Sequence, residues 1–131
     1  MSRIVSEIKK MEGVLSLNPA KSDIISSAEN QLDLKFSDEY KEYTSTYGAI
    51  SINGTEYTGV VDDINLNVVM VTRSARAITT NIPIDWYVVM DSHIDGIIIW
   101  QNHNGIIYQT EPHKEPQKVS DTLLDYILSN V

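Results

Sequence analysis

The residues of this chain that could perform chemistry fall into three groups, of which the first has the opening spacing of a calcium-binding loop. Asp91, His93 and Asp95 alternate along the chain and are followed by Gly96. The twelfth position of such a loop is a glutamate that ligates the ion, but here it is Asn102, and strands rather than helices are expected on both sides. The pattern therefore predicts an ordinary turn, and we expect neither a metal nor a cofactor.

The second and third groups are histidines and loop carboxylates. The histidines recur every ten residues, at His93, His103 and His113. This spacing forms no helix-face pair and no metal-ligand motif. Asp62, Asp63 and Glu111 could supply a carboxylate pair for acid–base catalysis, although exposed loop acids are the commoner interpretation. The sequence has no phosphate-binding glycine loop, no nucleophile elbow and no cysteine, so we expect no catalytic residue and no enzymatic activity.

The charge of the chain is strongly negative and unevenly distributed. Its 131 residues carry 18 acidic and 10 basic side chains, a formal net charge of −8. No lysine or arginine occurs in residues 42–72 or in residues 77–113. The acids of these two spans are Glu42, Glu56, Asp62, Asp63, Asp85, Asp91, Asp95 and Glu111. The balance argues against nucleic acids and anionic membranes as partners. Two explanations of the acids remain, ordinary solubility and a surface that steers a basic partner.

The apolar residues are those of one ordinary soluble domain. They make up 42% of the chain, enough to form a core without disulfides or metals. Residues 1–15 place isoleucine, methionine and leucine at helical spacing with charges between them, so we expect an N-terminal helix and not a signal peptide. The longest apolar runs are the length of strands and too short to span a membrane. We therefore expect a cytoplasmic protein.

Residues 28–48 contain the end of one helix, a short connection and a second helix. An apolar stripe over residues 24–32 predicts the first helix, with Ser22 as its N-cap. Ser37 is the expected N-cap of the second helix, because acids follow in the first turn, where the helix dipole favours them. Gly48 stands where a left-handed C-cap is required.

The period of the apolar residues changes toward two after this segment. Strands are expected at 50–52, 55–57, 86–90, 97–100 and 106–108. Asn53-Gly54 predicts a type I′ turn between the first two strands. Residues 66–78 fit a strand by propensity and a helix by apolar spacing. Ser120 is the expected N-cap of a C-terminal helix. The sequence thus predicts a single α+β domain, with an N-terminal and a C-terminal helix and with helices packed on one face of an antiparallel sheet.

Residues 28–48 resemble the diagnostic part of the SUKH superfamily, the Smi/Knr-type domain of many bacterial immunity proteins and of fungal cell-wall assembly regulators. The matching positions are Ile25, Glu29, Leu32, Leu34, Phe36, Tyr40, Tyr43, Tyr47 and Gly48. Asp33 replaces the usual glycine and Ser37 the usual proline, although both serine at an N-cap and proline at N1 begin helices. The resemblance implies one SUKH-like domain over residues 1–131 and favours a helix at 66–78.

The resemblance also implies two functions, both based on protein binding. The first is an immunity protein that neutralises a polymorphic or contact-dependent bacterial toxin, often a nuclease, by stoichiometric occlusion. The second is a scaffold or regulatory module of the cell-wall regulator type. A basic toxin would meet the acidic surface. The residues expected to bind it are loop acids and two aromatic anchors: Glu56, Asp62, Asp63, Asp91, Asp95, Tyr57 and Trp100. A core position is the alternative for Trp100.

Ser37→Ala is expected to lower the free energy of unfolding by ~1 kcal/mol, because the hydroxyl of an N-cap satisfies an amide of the first helical turn. Urea unfolding of the variant and of the wild type measures the difference. A variant as stable as the wild type would remove the predicted helix boundary.

Overall fold

The computed structural model describes residues 3–130, which form five α-helices and seven β-strands. The helices are α1 (Arg3–Lys10), α2 (Ser22–Leu32), α3 (Asp38–Tyr47), α4 (Val68–Ile78) and α5 (Leu123–Ser129). The strands are β1 (Val14–Ser16), β2 (Ile50–Ile52), β3 (Thr55–Tyr57), β4 (Tyr87–Asp91), β5 (Ile98–Gln101), β6 (Ile107–Thr110) and β7 (Gln117–Ser120). These elements confirm the α+β fold class. None of the helices within residues 3–130 is long and apolar enough to span a membrane.

The strands form two antiparallel sheets, in the orders β1-β2-β3 and β4-β5-β6-β7. The sheets meet just after β3, where Thr58 N donates to Val89 O at 2.9 Å and Thr58 Oγ1 donates to Val88 O at 2.7 Å. The register of β4 against β5 shifts between Val88 and Met90, as at a β-bulge. The sheet predicted from the sequence is therefore divided into two at this junction.

Strands β4 and β5 carry buried side chains on both faces of the four-stranded sheet, since neighbouring residues of a strand point to opposite sides, whereas β7 at the edge is largely exposed. Tyr87 and Ile99 belong to the main core with α1, α2, α3 and α5. Val88 and Trp100 form a second apolar cluster with Ala75 of α4. Helix α4 thus covers the other face of the sheet, whereas the sequence predicted helices on one face. Strands with apolar residues on both faces need cover on both.

Helix α3 begins and ends where the sequence predicts. Ser37 is its N-cap, since Ser37 Oγ accepts a hydrogen bond from Tyr40 N at 3.0 Å. Gly48 follows α3 with φ 72° and ψ −72°, which is a positive φ but not the left-handed helical conformation expected. A Cβ at Gly48 would lie 2.1 Å from Asn18 O, so only glycine fits there. Asp33, which replaces the usual glycine, adopts the left-handed conformation after α2, with φ 54°.

The two other predicted N-caps are wrong. Ser22 is the first residue of α2, and Lys21 before it makes no side-chain cap hydrogen bond. Ser120 is the last residue of β7, where it pairs with Ile107 of β6. The N-cap of α5 is Thr122, whose Oγ1 accepts from the first turn of the helix. Because Ser120 pairs with β6 as the last residue of β7, α5 begins later in the chain than the sequence predicted.

Residues 68–78 are helical, which settles the ambiguity left by the sequence. Asn67 is the N-cap of α4, and its Oδ1 accepts from Val69 N at 2.9 Å and from Met70 N at 3.2 Å. The Asn53-Gly54 turn between β2 and β3 is also confirmed, with positive φ at both residues. Two short strands, β1 and β7, are not among those predicted. Leu15, expected on the N-terminal helix, belongs to β1.

A buried polar network joins α3 to the four-stranded sheet. Tyr87 OH donates to Gln101 Oε1 at 2.8 Å, and Ser37 Oγ donates to the same oxygen at 3.1 Å. Ser37 N donates to Tyr87 OH at 3.0 Å. Gln101 Nε2 donates to Glu39 Oε1 at 2.9 Å and to Gly105 O at 3.0 Å. Ser37 therefore has bonds to the sheet in addition to its role as a helix cap.

Glu39 extends this network to the C-terminal helix. Its Oε1 accepts from Leu123 N at 2.8 Å, and its Oε2 accepts from Leu124 N at 3.0 Å. These are backbone amides of the first turn of α5, which have no partner within that helix. A carboxylate is well placed there because the N-terminal end of a helix carries partial positive charge.

The chain is expected to lose stability above about pH 10, where exposed phenols ionise. Burial raises the pKa of Tyr40, Tyr43 and Tyr87 far above that value and raises the pKa of Tyr57 to about 12. Above pH 10 the unfolded chain releases protons that the folded chain retains, so unfolding becomes more favourable as the pH rises. Each such tyrosine contributes ~1.4 kcal/mol per pH unit.

Phenolate absorbance recorded during an alkaline titration tests this expectation. The share of the absorbance that comes from the four buried tyrosines should rise only with loss of near-ultraviolet circular dichroism. Ionisation of all seven tyrosines of the chain while the folded signal persists would contradict the burial of these four hydroxyls.

Candidate functional site

A groove of about 430 Å³ lies between β3, α4 and the loop that follows β4. It brings together two of the acids predicted to bind a partner, Glu56 and Asp91. They approach each other because Thr58 N is hydrogen-bonded to Val89 O, which aligns the end of β3 with β4. The groove is therefore a direct consequence of the junction between the two sheets.

The alternation of β3 determines which of its side chains reaches the groove. Glu56 pairs with Ser51 on the exposed face, whereas Tyr57 pairs with Ile50 and is 1% exposed. Tyr57 is part of the main core, and Glu56 is exposed to solvent. Neighbouring residues of one strand thus have opposite roles, as the period of two requires.

Asp91 is the last residue of β4 and begins a tight turn. Its Oδ1 accepts from His93 N at 2.9 Å and lies 3.8 Å from His93 Nδ1. Ser92 Oγ closes the turn by donating to Ile97 O at 2.7 Å. Positive φ angles at His93 (57°), Asp95 (54°) and Gly96 (71°) complete it. The calcium-like spacing is thus that of a turn, and residues 3–130 contain no group of three or more His, Asp or Glu side chains placed to hold a metal ion.

The loop between β3 and α4, residues 59–67, forms the rest of the groove. It is closed by hydrogen bonds from Gly59 N to Leu66 O at 2.8 Å and from Val68 N to Gly59 O at 2.9 Å. Asp63 supports it internally, because its Oδ1 accepts from Asn65 N at 2.9 Å. Gly59 is required, since a Cβ there would lie 1.7 Å from Gly48 O. The loop is consequently anchored by its backbone, and its tip is free to present side chains.

This loop separates the groove from a second recess of about 630 Å³. Asp62 and Asp63 line that recess with Leu17 and Ile24, whereas Ile64 lines the groove. The structure therefore does not bring all the predicted acids into one cavity. It places Glu56 and Asp91 in the groove and Asp62 and Asp63 in the second recess, whereas Asp95 lines neither.

The order of these elements, with a Ser37-capped helix after a buried connection and a sheet that this helix supports, agrees with the resemblance seen in the sequence. The family model SUKH_5, described as SMI1-KNR4 cell-wall, matches residues 1–131. The chain belongs to the SUKH_5 family. Comparison with curated proteins finds no match. Family membership confirms the SUKH assignment that was based on residues 28–48.

The predicted binding acids of this SUKH_5 protein are not paired with lysine or arginine side chains in the part of the chain that the structure describes, although Lys21 lines the second recess with Asp62 and Asp63. Within residues 3–130, no lysine or arginine forms an ion pair within 4.0 Å with any of the five predicted acids. These acids are Glu56, Asp62, Asp63, Asp91 and Asp95. Asp91 has only the exposed His93 beside it. Charges without a local partner retain their long-range field.

Exposed apolar side chains are the feature that sequence reasoning missed. Ile64 and Met70 line the groove and are 68% and 47% exposed. Leu17 and Ile24 line the second recess and are 43% and 51% exposed. The available signal in the sequence was an isolated isoleucine within a polar loop, Asp62-Asp63-Ile64-Asn65.

The two predicted aromatic anchors are buried, so a partner cannot contact their side chains. Tyr57 lies in the main core, and Trp100 is 0% exposed in the cluster under α4. Trp100 Nε1 donates to Thr110 Oγ1 at 2.8 Å, so its polar atom is also satisfied within the core. The core alternative for Trp100 is the one that the structure shows.

A third recess, of about 610 Å³, lies on the side of the molecule that carries α5. It is lined by Arg3, Glu39 and His103 among others. Glu39 is already committed to the amides of α5, and Arg3 lies 3.5 Å from Asp125. None of the predicted binding residues lines this recess, which we interpret as structural.

Trp100→Ala is expected to cost ~3–5 kcal/mol of stability, because it removes a large buried side chain. Ile64→Ser is expected to change stability by less than ~0.5 kcal/mol, because its side chain is largely in solvent. Urea unfolding of both variants measures these differences. Similar losses in the two variants would mean that Ile64 is a packing residue, which would remove it from the candidate site.

Proposed function

We propose that this SUKH_5 protein is an immunity protein, which binds a basic bacterial toxin and neutralises it by covering the toxin's active site in a one-to-one complex. The observation that supports this proposal most is the set of unpaired acids on both sides of the 59–67 loop, next to exposed apolar side chains. A surface built only for solubility would need the charges but not Ile64 and Met70.

The mechanism is binding without catalysis, in the cytoplasm of the cell that makes the protein. The active site of a nuclease carries positive charge because it must hold phosphates. The acidic surface raises the rate of encounter with such a site. Apolar side chains buried on contact then slow dissociation. The toxin is inactive as long as its active site is covered.

A scaffold or regulatory module is the second candidate, and the family description, SMI1-KNR4 cell-wall, favours it. Such a module would use the same surface to bind a protein of its own cell. It would give no protection against a toxin.

Co-expression with a toxin domain encoded by a neighbouring gene separates the two candidates. The immunity function predicts that cells survive only when the chain is present, and that the two proteins elute together from a sizing column at a one-to-one ratio. Cell death despite expression of the chain, with no complex on the column, would contradict the proposal for that toxin.

The double variant Asp62→Lys with Asp63→Lys is expected to slow association with the toxin domain about tenfold, because it reverses the charge of two exposed acids that form no ion pair within the described residues. The association rate of the wild type should also fall as salt rises. Stopped-flow fluorescence measures both rates.

The matched control is Glu12→Lys with Glu115→Lys, which makes the same change in net charge at exposed positions outside the groove and the second recess. It should slow association far less. Equal slowing by the two double variants, or an association rate that does not depend on salt, would count against a docking surface at the 59–67 loop.

A further inference from the structure

The groove is lined by apolar side chains and by polar side chains that include two acids, and both limit which group can bind there. The apolar lining consists of Ile64 and Met70, which are 68% and 47% exposed, with Leu66 and Val71. Methionine adapts its shape to a contacting group because it is unbranched and polarisable. The apolar lining is therefore suited to a flexible aliphatic chain rather than to a polar headgroup.

The polar lining of the groove consists of the carboxylates of Glu56 and Asp91, the hydroxyls of Thr58 and Ser74, the amide of Asn65 and the imidazole of His93. Glu56 is exposed to solvent, and 35% of the Asp91 side chain is exposed. Asp91 uses Oδ1 to hold the turn at His93, and within residues 3–130 its Oδ2 makes no hydrogen bond. Thr58 Oγ1 also reaches the groove but already donates to Val88 O. Glu56 and Asp91 are the anionic acceptors of this lining, and hydrogen bonds to ionised acceptors are the stronger ones.

We infer that the occupant of the groove is an arginine side chain of the partner with an aliphatic neighbour, an inference that rests on the proposed function. Its methylene stem would lie on Ile64 and Met70, and its guanidinium would pair with Glu56 and Asp91. Arginine combines an apolar stem with a charged end, which matches a groove that has both an apolar and an acidic lining. Its planar fork of donors serves two carboxylates better than the ammonium of lysine does.

The volume of the groove and the charge of the chain further limit which molecule can occupy it. At about 430 Å³ the groove exceeds what one arginine side chain fills, so an aliphatic neighbour completes it. A second copy of this chain is disfavoured, because each copy carries a net charge of −8. The charge complementarity is with a basic protein, as the proposed function requires.

The first experiment does not depend on the toxin. The isotope-labelled chain is titrated with the blocked dipeptide acetyl-Leu-Arg-amide and, in parallel, with acetyl-Leu-Gln-amide, and amide shifts are followed by NMR. Saturable shifts are expected at Glu56, Ile64, Met70 and Asp91 with the arginine peptide, and shifts about fivefold smaller with the glutamine peptide, because the glutamine lacks the charge. Equal responses to both peptides, or shifts spread evenly over all the acids, would overturn the inference.

The second experiment uses the toxin domain and three variants. Ile64→Ser and Glu56→Gln should each weaken binding about tenfold or more, the isoleucine variant through faster dissociation. Ile84→Ser is the matched control, since Ile84 and Ile64 are both 68% exposed but Ile84 lies outside the groove. Ile84→Ser should bind like the wild type.

The two experiments separate failure of the inference from failure of the proposed function. Tight binding by the wild type that Ile64→Ser and Glu56→Gln leave unchanged would overturn the inference and leave the immunity function standing. Absence of binding by the wild type would contradict the immunity function for that toxin, and the peptide titration would still decide whether the groove accepts arginine.

Discussion

The fold depends on Gln101, a fully buried side chain that uses both ends of its amide. Its oxygen accepts from Tyr87 OH and Ser37 Oγ, and its nitrogen donates to Glu39 Oε1 and Gly105 O. One residue of β5 thereby fixes β4, the start of α3 and, through Glu39, the start of α5. A buried amide with four satisfied hydrogen bonds is stable, whereas loss of any partner would leave an uncompensated polar group in the core.

The acids of the chain consequently divide into two classes. Glu29 and Glu39 are structural: Glu29 is 5% exposed and accepts from Phe36 N at 2.8 Å, and Glu39 caps α5. Glu56 and Asp62 are exposed and hold no helix in place. The acids of the second class belong to the two spans of the sequence that contain no lysine or arginine. Charge that the fold does not need is available for a partner.

Local chemistry made part of this structure predictable from the sequence. The Ser37 cap and the Asn53-Gly54 turn depend on residues next to them in the chain, and both were predicted correctly. Local residues do not decide whether Tyr57 and Trp100 lie in the core or on a binding surface, because a large aromatic residue is equally suited to both. Ile64 was missed because its position in the groove depends on a loop closed by backbone bonds that no local pattern encodes.

The proposed docking surface of this SUKH_5 protein is the 59–67 loop with the adjoining groove. Amide hydrogen exchange of the chain, alone and with the proposed toxin partner, tests this most directly. Exchange in the complex is expected to be slower in residues 56–70 and 91–95 and unchanged in α3 and α5. Slower exchange confined to the side of the molecule that carries Glu39, His103 and α5 would contradict it.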